Sequence, residues 1–453
     1  MLEVIILGAG KGTRMHSHLP KVLHPLAGRP MIEHVVATAS RLSPENIHVV
    51  VGHGADEVER ALAQYPLQFH HQAEQLGTGH ALAQALPHCH LQSTVLVLFG
   101  DVPLISTPTL QALLSQVREG PGVLAAHLSE PSGYGRILRD DDQQFVRVVE
   151  ERDATDSERR VQEVNTGVMA CPAGVLSRLL SKVGNNNAQQ ETYLPDVLAV
   201  AREERLAVSV VVSHDADEIQ GVNNRLQLEA LERTFQQRFA EQLLTDGVAV
   251  ADRSRLDVRG QLTCGYGVSL DINTLIEGVV VLADNVQIGA NCVIRDVSIG
   301  PNTIVHPFSH IEDAVIGADC SIGPYARIRP GSRLGPSVRI GNFVETKKAT
   351  LGAGSKANHL AYIGDATIGE GSNIGAGSIT CNYDGANKHH TQLGDGVFIG
   401  SNSTLVAPVT IADGGFIAAG SVITKDVAAA ELAVGRGRQR NIADWQAPKK
   451  DGE

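Results

Sequence analysis

An α/β domain with a doubly wound sheet, then a linker helix, then a parallel β-helix: this is the order of folds the 453-residue sequence predicts. Three observations predict it. Apolar strand-like runs alternate with amphipathic stretches through the first half. One helical stripe occupies the middle. A six-residue period of branched aliphatics fills the second half. Glycine divides the chain in the same place: 17 of the 46 glycines fall within residues 1–226, and the remainder suit the tight corners of a solenoid. The expected boundaries are a domain at 1–225, a helical linker at 226–246 and a second domain at 247–453.

The strand-like runs of the first half are Val4–Leu7, Ile47–Val51, Thr94–Phe99 and Val123–His127. In such sheets ligands bind beyond the carboxyl ends of the strands. The linker reads as one helix because Leu228, Leu231, Phe235, Phe239 and Leu243 recur at three- and four-residue spacing, and Thr245-Asp246-Gly247 stops it. Beyond it the period is six. Ile276, Leu282, Ile288 and Ile294 form one run; Ile316, Ile322, Ile328, Leu334 and Ile340 a second; Leu393, Ile399, Leu405, Ile411, Ile417 and Ile423 a third. Each aliphatic points to the axis of a coil with three short strands. From Ile374 to Leu393 the phase fails. The insert Thr380–His390 is expected to project as a loop, and its Tyr383, Lys388, His389 and His390 suggest a binding role.

Composition excludes several classes. A net charge of −12 argues against non-specific nucleic-acid binding. No apolar run approaches the ~20 residues that span a bilayer, and no basic n-region precedes the first strand, so a cytoplasmic protein without membrane insertion is expected. Cysteines 89, 171, 264, 292, 320 and 381 are scattered, as expected of reduced thiols rather than a disulfide scaffold or zinc knuckle.

The first strand runs into Gly8-Ala9-Gly10-Lys11-Gly12-Thr13-Arg14-Met15. A glycine-rich turn after a strand offers backbone N–H groups to phosphate. It is neither a dinucleotide fingerprint, which needs glycine where Thr13 stands, nor a P-loop. Lys11, Arg14 and Lys21 suit a triphosphate; a solvated basic loop is the other reading. Thr94–Phe99 ends in Gly100-Asp101, where a carboxylate either holds Mg²⁺ or caps a turn.

Leu7–Met15 with Leu19-Pro20-Lys21 resembles the signature of sugar-phosphate nucleotidylyltransferases. Gln72-Ala73-Glu74-Gln75-Leu76-Gly77-Thr78-Gly79-His80, Gly221-Val222-Asn223-Asn224-Arg225 and the hexapeptide half narrow the match. Together they resemble the bacterial bifunctional N-acetylglucosamine-1-phosphate uridylyltransferase / glucosamine-1-phosphate N-acetyltransferase family, over essentially the whole chain up to about residue 436. The resemblance implies a Rossmann-like nucleotidyltransferase domain and a left-handed β-helix assembled as a homotrimer. It implies glucosamine-1-phosphate, N-acetylglucosamine-1-phosphate, UTP and acetyl-CoA as substrates, with Mg²⁺ as cofactor.

Residue roles follow from the same resemblance. Leu7, Gly8, Ala9 and Gly10 would line the nucleotide, with Phe99 and Gly100 beside it, while Arg14 and Lys21 would stabilise the phosphates. Gln72, Gly77 and Thr78 would read uracil, and Asp101 and Asn223 would hold Mg²⁺. Gly135, Glu150 and Asn165 would bind N-acetylglucosamine. In the second half His359 would be the base, and Arg329, Lys347, Tyr362, Asn373 and Lys388 would hold the sugar phosphate. Ala376, Asn382, Tyr383, Ser401, Ala419 and Arg436 would contact acetyl-CoA. Two positions depart from the family pattern: Phe99 stands where a Tyr is common, and Thr192-Tyr193-Leu194-Pro195-Asp196 replaces a Tyr-Tyr-(Leu/Ile)-Thr-Asp string. Rival readings are a nucleotidylyltransferase for another base, a purely structural β-helix, and a β-helix zinc hydratase using His306, His310, His359, His389 or His390.

Overall fold

The structure, a computed structural model, describes residues 1–184 and 190–448. The chain forms two compact units, Met1–Phe235 and Gln236–Glu453.

In the first unit the predicted strands form as Leu2–Leu7, Asn46–Val51, Thr94–Phe99 and Gly122–His127. They belong to a nine-stranded sheet whose main path runs Ser209–Ser213, Gly122–His127, Glu163–Pro172, Thr94–Phe99, Leu2–Leu7, Asn46–Val51, Gln68–His71. Every pair along that path is parallel except the two made by Glu163–Pro172. Alternate residues go to opposite faces. Val4 and Ile6 pack with Ile32, Val35 and Val36 of helix Met31–Ser40 and with Leu110 and Leu113 of helix Thr107–Gln116. Ile5 and Leu7 pack with Leu82 and Ala85 of helix Thr78–Ala85 and with Leu176, Leu179, Val197 and Leu198 of two further helices. Both faces are therefore covered, and the strands read as continuous apolar runs for that reason.

The linker pattern forms one helix, Arg225–Thr245. Of its expected stripe, Leu231 and Leu243 are buried, while Leu228, Phe235 and Phe239 are half-buried. The stripe omits Gln236, which is 2% exposed. Its amide donates to the Val258 carbonyl at 2.9 Å and accepts from the Val258 N–H at 2.8 Å.

The second unit is a stack of short parallel strands in sheets of 11 and 13 strands. Each coil lies in register on the next, so that Ile276 pairs with Ile294 and Ile294 in turn with Ile311. Every aliphatic of the three six-residue runs is buried in one continuous core. Between them, buried hydroxyls bridge coils: Thr303 Oγ1 donates to the Gly317 carbonyl at 2.9 Å and Ser355 Oγ to the Gly369 carbonyl at 2.7 Å. At one corner, a Cβ on Gly317 would stand 2.7 Å from the Gly335 carbonyl carbon, so stacked corners there require glycine.

The insert begins later than the phase suggests. Thr380 and Cys381 remain in strand Ile379–Cys381, and buried Thr380 donates to the Gly364 carbonyl at 3.0 Å. Ala349 pairs with Ala366 across an ordinary coil, whereas Ala366 pairs with Thr391 across the enlarged one that contains the insert. The extra residues form a hairpin with a Tyr383–Lys388 bridge. Asp384 closes its tip, accepting from the N–H groups of Ala386 and Asn387 at 2.8 and 2.7 Å.

Candidate active sites

At the carboxyl end of strand Leu2–Leu7 the first unit opens a cavity of about 330 Å³. Leu7, Gly8, Ala9, Gly10, Lys21, Gln72, Gly77, Thr78, Phe99 and Asp101 all line it, with Val22, Gln75, Ala81 and Glu191. The Gly8 and Gly100 N–H groups are tied to the Val50 and Leu7 carbonyls at 2.9 Å, which fixes where the loops leave the sheet.

Four predicted residues converge beside this cavity. The Lys21 ammonium pairs with the Asp101 carboxylate and donates to Asn223 Oδ1 at 3.2 Å. Arg14 Nη2 donates to the same Asn223 oxygen at 3.0 Å. Two hard oxygen donors thus meet at one cation, the donor chemistry that suits Mg²⁺. Lys11 is exposed.

The loop Gln72–Gly79 is held from behind. Gly77 has φ 105°, and a Cβ there would lie 2.5 Å from the Thr192 carbonyl oxygen. The Gly79 N–H donates to that oxygen at 2.8 Å, and the Leu194 N–H donates to Thr78 Oγ1 at 3.0 Å. The departing segment Thr192–Leu194 therefore acts as a backbone clamp, and Pro195 precedes helix Asp196–Glu203. Gln72, 4% exposed, spends its amide N–H groups on the Gly77 carbonyl at 3.1 Å and His80 Nδ1 at 3.0 Å. Its carbonyl oxygen is the group it can offer a ligand.

Gly135, Glu150 and Asn165 also come together. Gly135 pairs with Asn165 in register, and a Cβ on it would meet Glu150 Oε1 at 3.1 Å. Asn165 Oδ1 accepts from the Gly167 N–H at 3.1 Å, and Gly167 lies against the Phe99 ring. Phe99 therefore links this trio to the cavity by packing. Burial, reinforced by Asp196 and Asp153, raises the Glu150 pKa.

The second unit gathers three cations. Lys388, and Arg329 more weakly, push the Lys347 pKa down. Arg329 Nη1 holds Glu345 Oε1 at 2.6 Å. Crowded like charges of this kind seek an anion. The hairpin supplies Lys388, and His389 Nε2 bonds Asp384 Oδ2 at 2.6 Å. Tyr362 folds over Gly364, where a Cβ would be 2.4 Å from its hydroxyl.

His359 Nδ1 meets Asn342 Oδ1 at 2.8 Å, and the two residues are paired across neighbouring coils. Sequence reasoning missed Asn342. Its signal is a position one full coil upstream of His359, which only the coil register reveals. An acceptor at Nδ1 places that proton there and leaves the Nε2 lone pair open.

Ala376, Ser401 and Ala419 stack on one corner: the Asn402 N–H donates to the Ala376 carbonyl at 2.7 Å and the Gly420 N–H to the Ser401 carbonyl at 2.8 Å. Arg436 Nη1 extends the line to the Ala419 carbonyl at 2.6 Å. Asn382 and Tyr383 belong to the hairpin instead, where Asn382 bonds the Asp365 carboxylate. Asn373 pairs with Lys356 rather than with His359. His306, His310 and His390 are engaged by Ser321, Arg327 and Thr367 respectively. Among the described residues no helix is long and apolar enough to cross a membrane.

Residues 4–164 match the family described as MobA-like NTP transferase domain. Residues 296–330, 313–348 and 390–425 match bacterial transferase hexapeptide (six repeats). Over 451 residues, 99% of this chain and 100% of the relative, the sequence is 54% identical to Bifunctional protein GlmU of Cellvibrio japonicus (strain Ueda107). The proteins of that name from Marinobacter nauticus and Stutzerimonas stutzeri are 52% and 53% identical, each match covering 99% of both chains.

Proposed function

The chain belongs to the bifunctional GlmU family, and from that premise we propose how its two units divide the chemistry. It is a nucleotidyltransferase and acetyltransferase of UDP-N-acetylglucosamine synthesis. In our reading the second unit acetylates glucosamine-1-phosphate with acetyl-CoA, and the first joins the product to UMP from UTP. The setting is the cytoplasm, and the assembly is a homotrimer.

In the first unit a phosphate oxygen of N-acetylglucosamine-1-phosphate attacks the α-phosphorus of UTP. That bond forms as the bond to pyrophosphate breaks. The attacking oxygen is already anionic, so no general base is needed. Gln72 accepts from the uracil imide N–H through its carbonyl oxygen, beside Gly77 and Thr78. Gly8, Ala9 and Gly10 bring backbone against the nucleotide, with Leu7, Phe99 and Gly100 as walls. Gly135, Glu150 and Asn165 orient the sugar. Arg14 and Lys21 stabilise charge as it moves to the leaving group. Asp101 and Asn223 would hold Mg²⁺, which when bound neutralises phosphate oxygens.

In the second unit Arg329, Lys347 and Lys388 hold the sugar phosphate with Tyr362 and Asn373. His359 Nε2 takes a proton from the substrate ammonium, while its Nδ1–H donates to Asn342. The free amine attacks the thioester carbonyl, the C–N bond forms, the C–S bond breaks and the thiolate leaves with a proton. Ala376, Ser401, Ala419 and Arg436 line the corner offered to the coenzyme, with Asn382 and Tyr383 on the hairpin.

One observation carries this reading: each unit holds its own set of polar and charged groups, Lys21 between Asp101 and Asn223 in one, and Asn342–His359 with the Arg329, Lys347 and Lys388 cations in the other. Two assays on purified protein test it. Glucosamine-1-phosphate with acetyl-CoA should release thiol; N-acetylglucosamine-1-phosphate with UTP and Mg²⁺ should release pyrophosphate. Pyrophosphate without thiol would leave the β-helix a structural module and overturn the second half of the reading.

A further inference from the structure

Glu3 is the second residue of the first strand, Leu2–Leu7, yet it is fully buried. Burying a carboxylate is costly unless charge and hydrogen bonds compensate it. Among the described residues its one salt-bridge partner is His48, whose Nε2 lies 3.1 Å from Glu3 Oε2 and which is itself fully buried. The other carboxylate oxygen receives only two long contacts, from Asn46 Nδ2 and the His90 N–H, both at 3.5 Å. Cys89, 8% exposed, completes a trio: one oxygen, one nitrogen and one sulfur, all within 4.8 Å of one another. The trio sits where strands Leu2–Leu7 and Asn46–Val51 begin, opposite the end that carries the nucleotide cavity.

From this geometry we infer that Glu3, His48 and Cys89 form a binding site for a thiophilic divalent transition metal of the zinc class. Mixed carboxylate, imidazole and thiolate donors select such an ion over Mg²⁺. Bond lengths of roughly 2.0–2.3 Å require the three atoms to close by about an ångström, within the reach of side-chain rotation. On ligation Cys89 releases its S–H proton to solvent, and carboxylate plus thiolate balance the ion's two charges. His48 coordinates through Nε2 with its proton on Nδ1, which faces His70 Nε2 at 2.9 Å. That outer partner orients the ring, as partners of metal-bound histidines do. The ion would pin the starts of two strands to the segment after Leu86–His88, a structural role separate from both transfer reactions.

Cobalt(II) titrated into the chelator-stripped full chain tests this. The expected result is about one zinc-displaceable equivalent, with an intense thiolate-to-cobalt band in the near ultraviolet. Cobalt held by the Asp101–Asn223 oxygens would give only weak bands, so the two sites are distinguishable. Cys89→Ser should abolish the intense band. Glu3→Gln, which keeps a partner for His48, should weaken cobalt roughly tenfold or more. Absence of the band at saturating cobalt would overturn the inference. So would its persistence in Cys89→Ser, which would put the ion on another thiol, or an unchanged affinity in Glu3→Gln.

Discussion

At the scale of single residues, chemistry is set by what each functional group already touches. Asn342 is the clearest case, because it never meets the substrate in our account yet holds the His359 tautomer. Asn342→Ala should lower the acetyltransferase kcat by up to about 10²-fold, part of what a positioned general base contributes, and leave pyrophosphate release unchanged. An Asn342→Ser variant able to accept the same proton should recover part of that loss. Gly77 makes a second prediction. Its positive φ and the 2.5 Å approach to Thr192 oxygen leave no room for a methyl group, so Gly77→Ala should raise the KM for UTP roughly tenfold or more. Lys347 makes a third, and its sign is fixed by its neighbours. Lys388 depresses the Lys347 pKa below the ordinary lysine value. Sugar-phosphate affinity should therefore decline as pH rises through that depressed value. Lys388→Met should weaken binding overall but move the decline to higher pH, read from the KM for glucosamine-1-phosphate between neutral and strongly alkaline pH.

At the scale of elements, period was legible and register was not. Six-residue spacing places every aliphatic of the three runs in the core, because an inward position recurs in each coil even where coil lengths differ slightly. The start of the insert is less legible, since Thr380 looks like a loop residue but fills the interior with its hydroxyl bonded across the coil. Strand order was also hidden: Glu163–Pro172 carries apolar residues as its parallel neighbours do, and nothing local reveals that it runs antiparallel. Gln236 escaped notice because a helical stripe is defined by apolar residues, whereas its burial depends on one distant peptide, Val258. Replacing it with Leu would leave a buried N–H and carbonyl without partners. At ~1–3 kcal/mol for each such group, Gln236→Leu should lower stability by about 2–6 kcal/mol, measurable by denaturant unfolding.

At the scale of the molecule, the residues proposed for the two transfers do not overlap, one set lying before Phe235 and one after Gln236. The placing of the glycine-rich loop and of Asp101 at the ends of apolar strands was legible locally, whereas the candidacy of His359 came only from the resemblance. The partners that tune them, Asn342, the Thr192–Leu194 clamp and the grouping of Lys388 with Lys347, were not legible, because they lie on other strands or coils. Measuring thiol release and pyrophosphate release side by side in Asp101→Ala and His359→Ala tests most directly whether one chain carries two independent catalysts. Asp101→Ala should lose uridylyl transfer by a factor on the order of 10² or more with acetyl transfer near normal, and His359→Ala should do the reverse. Loss of both activities in either variant, with its fold intact, would contradict the account.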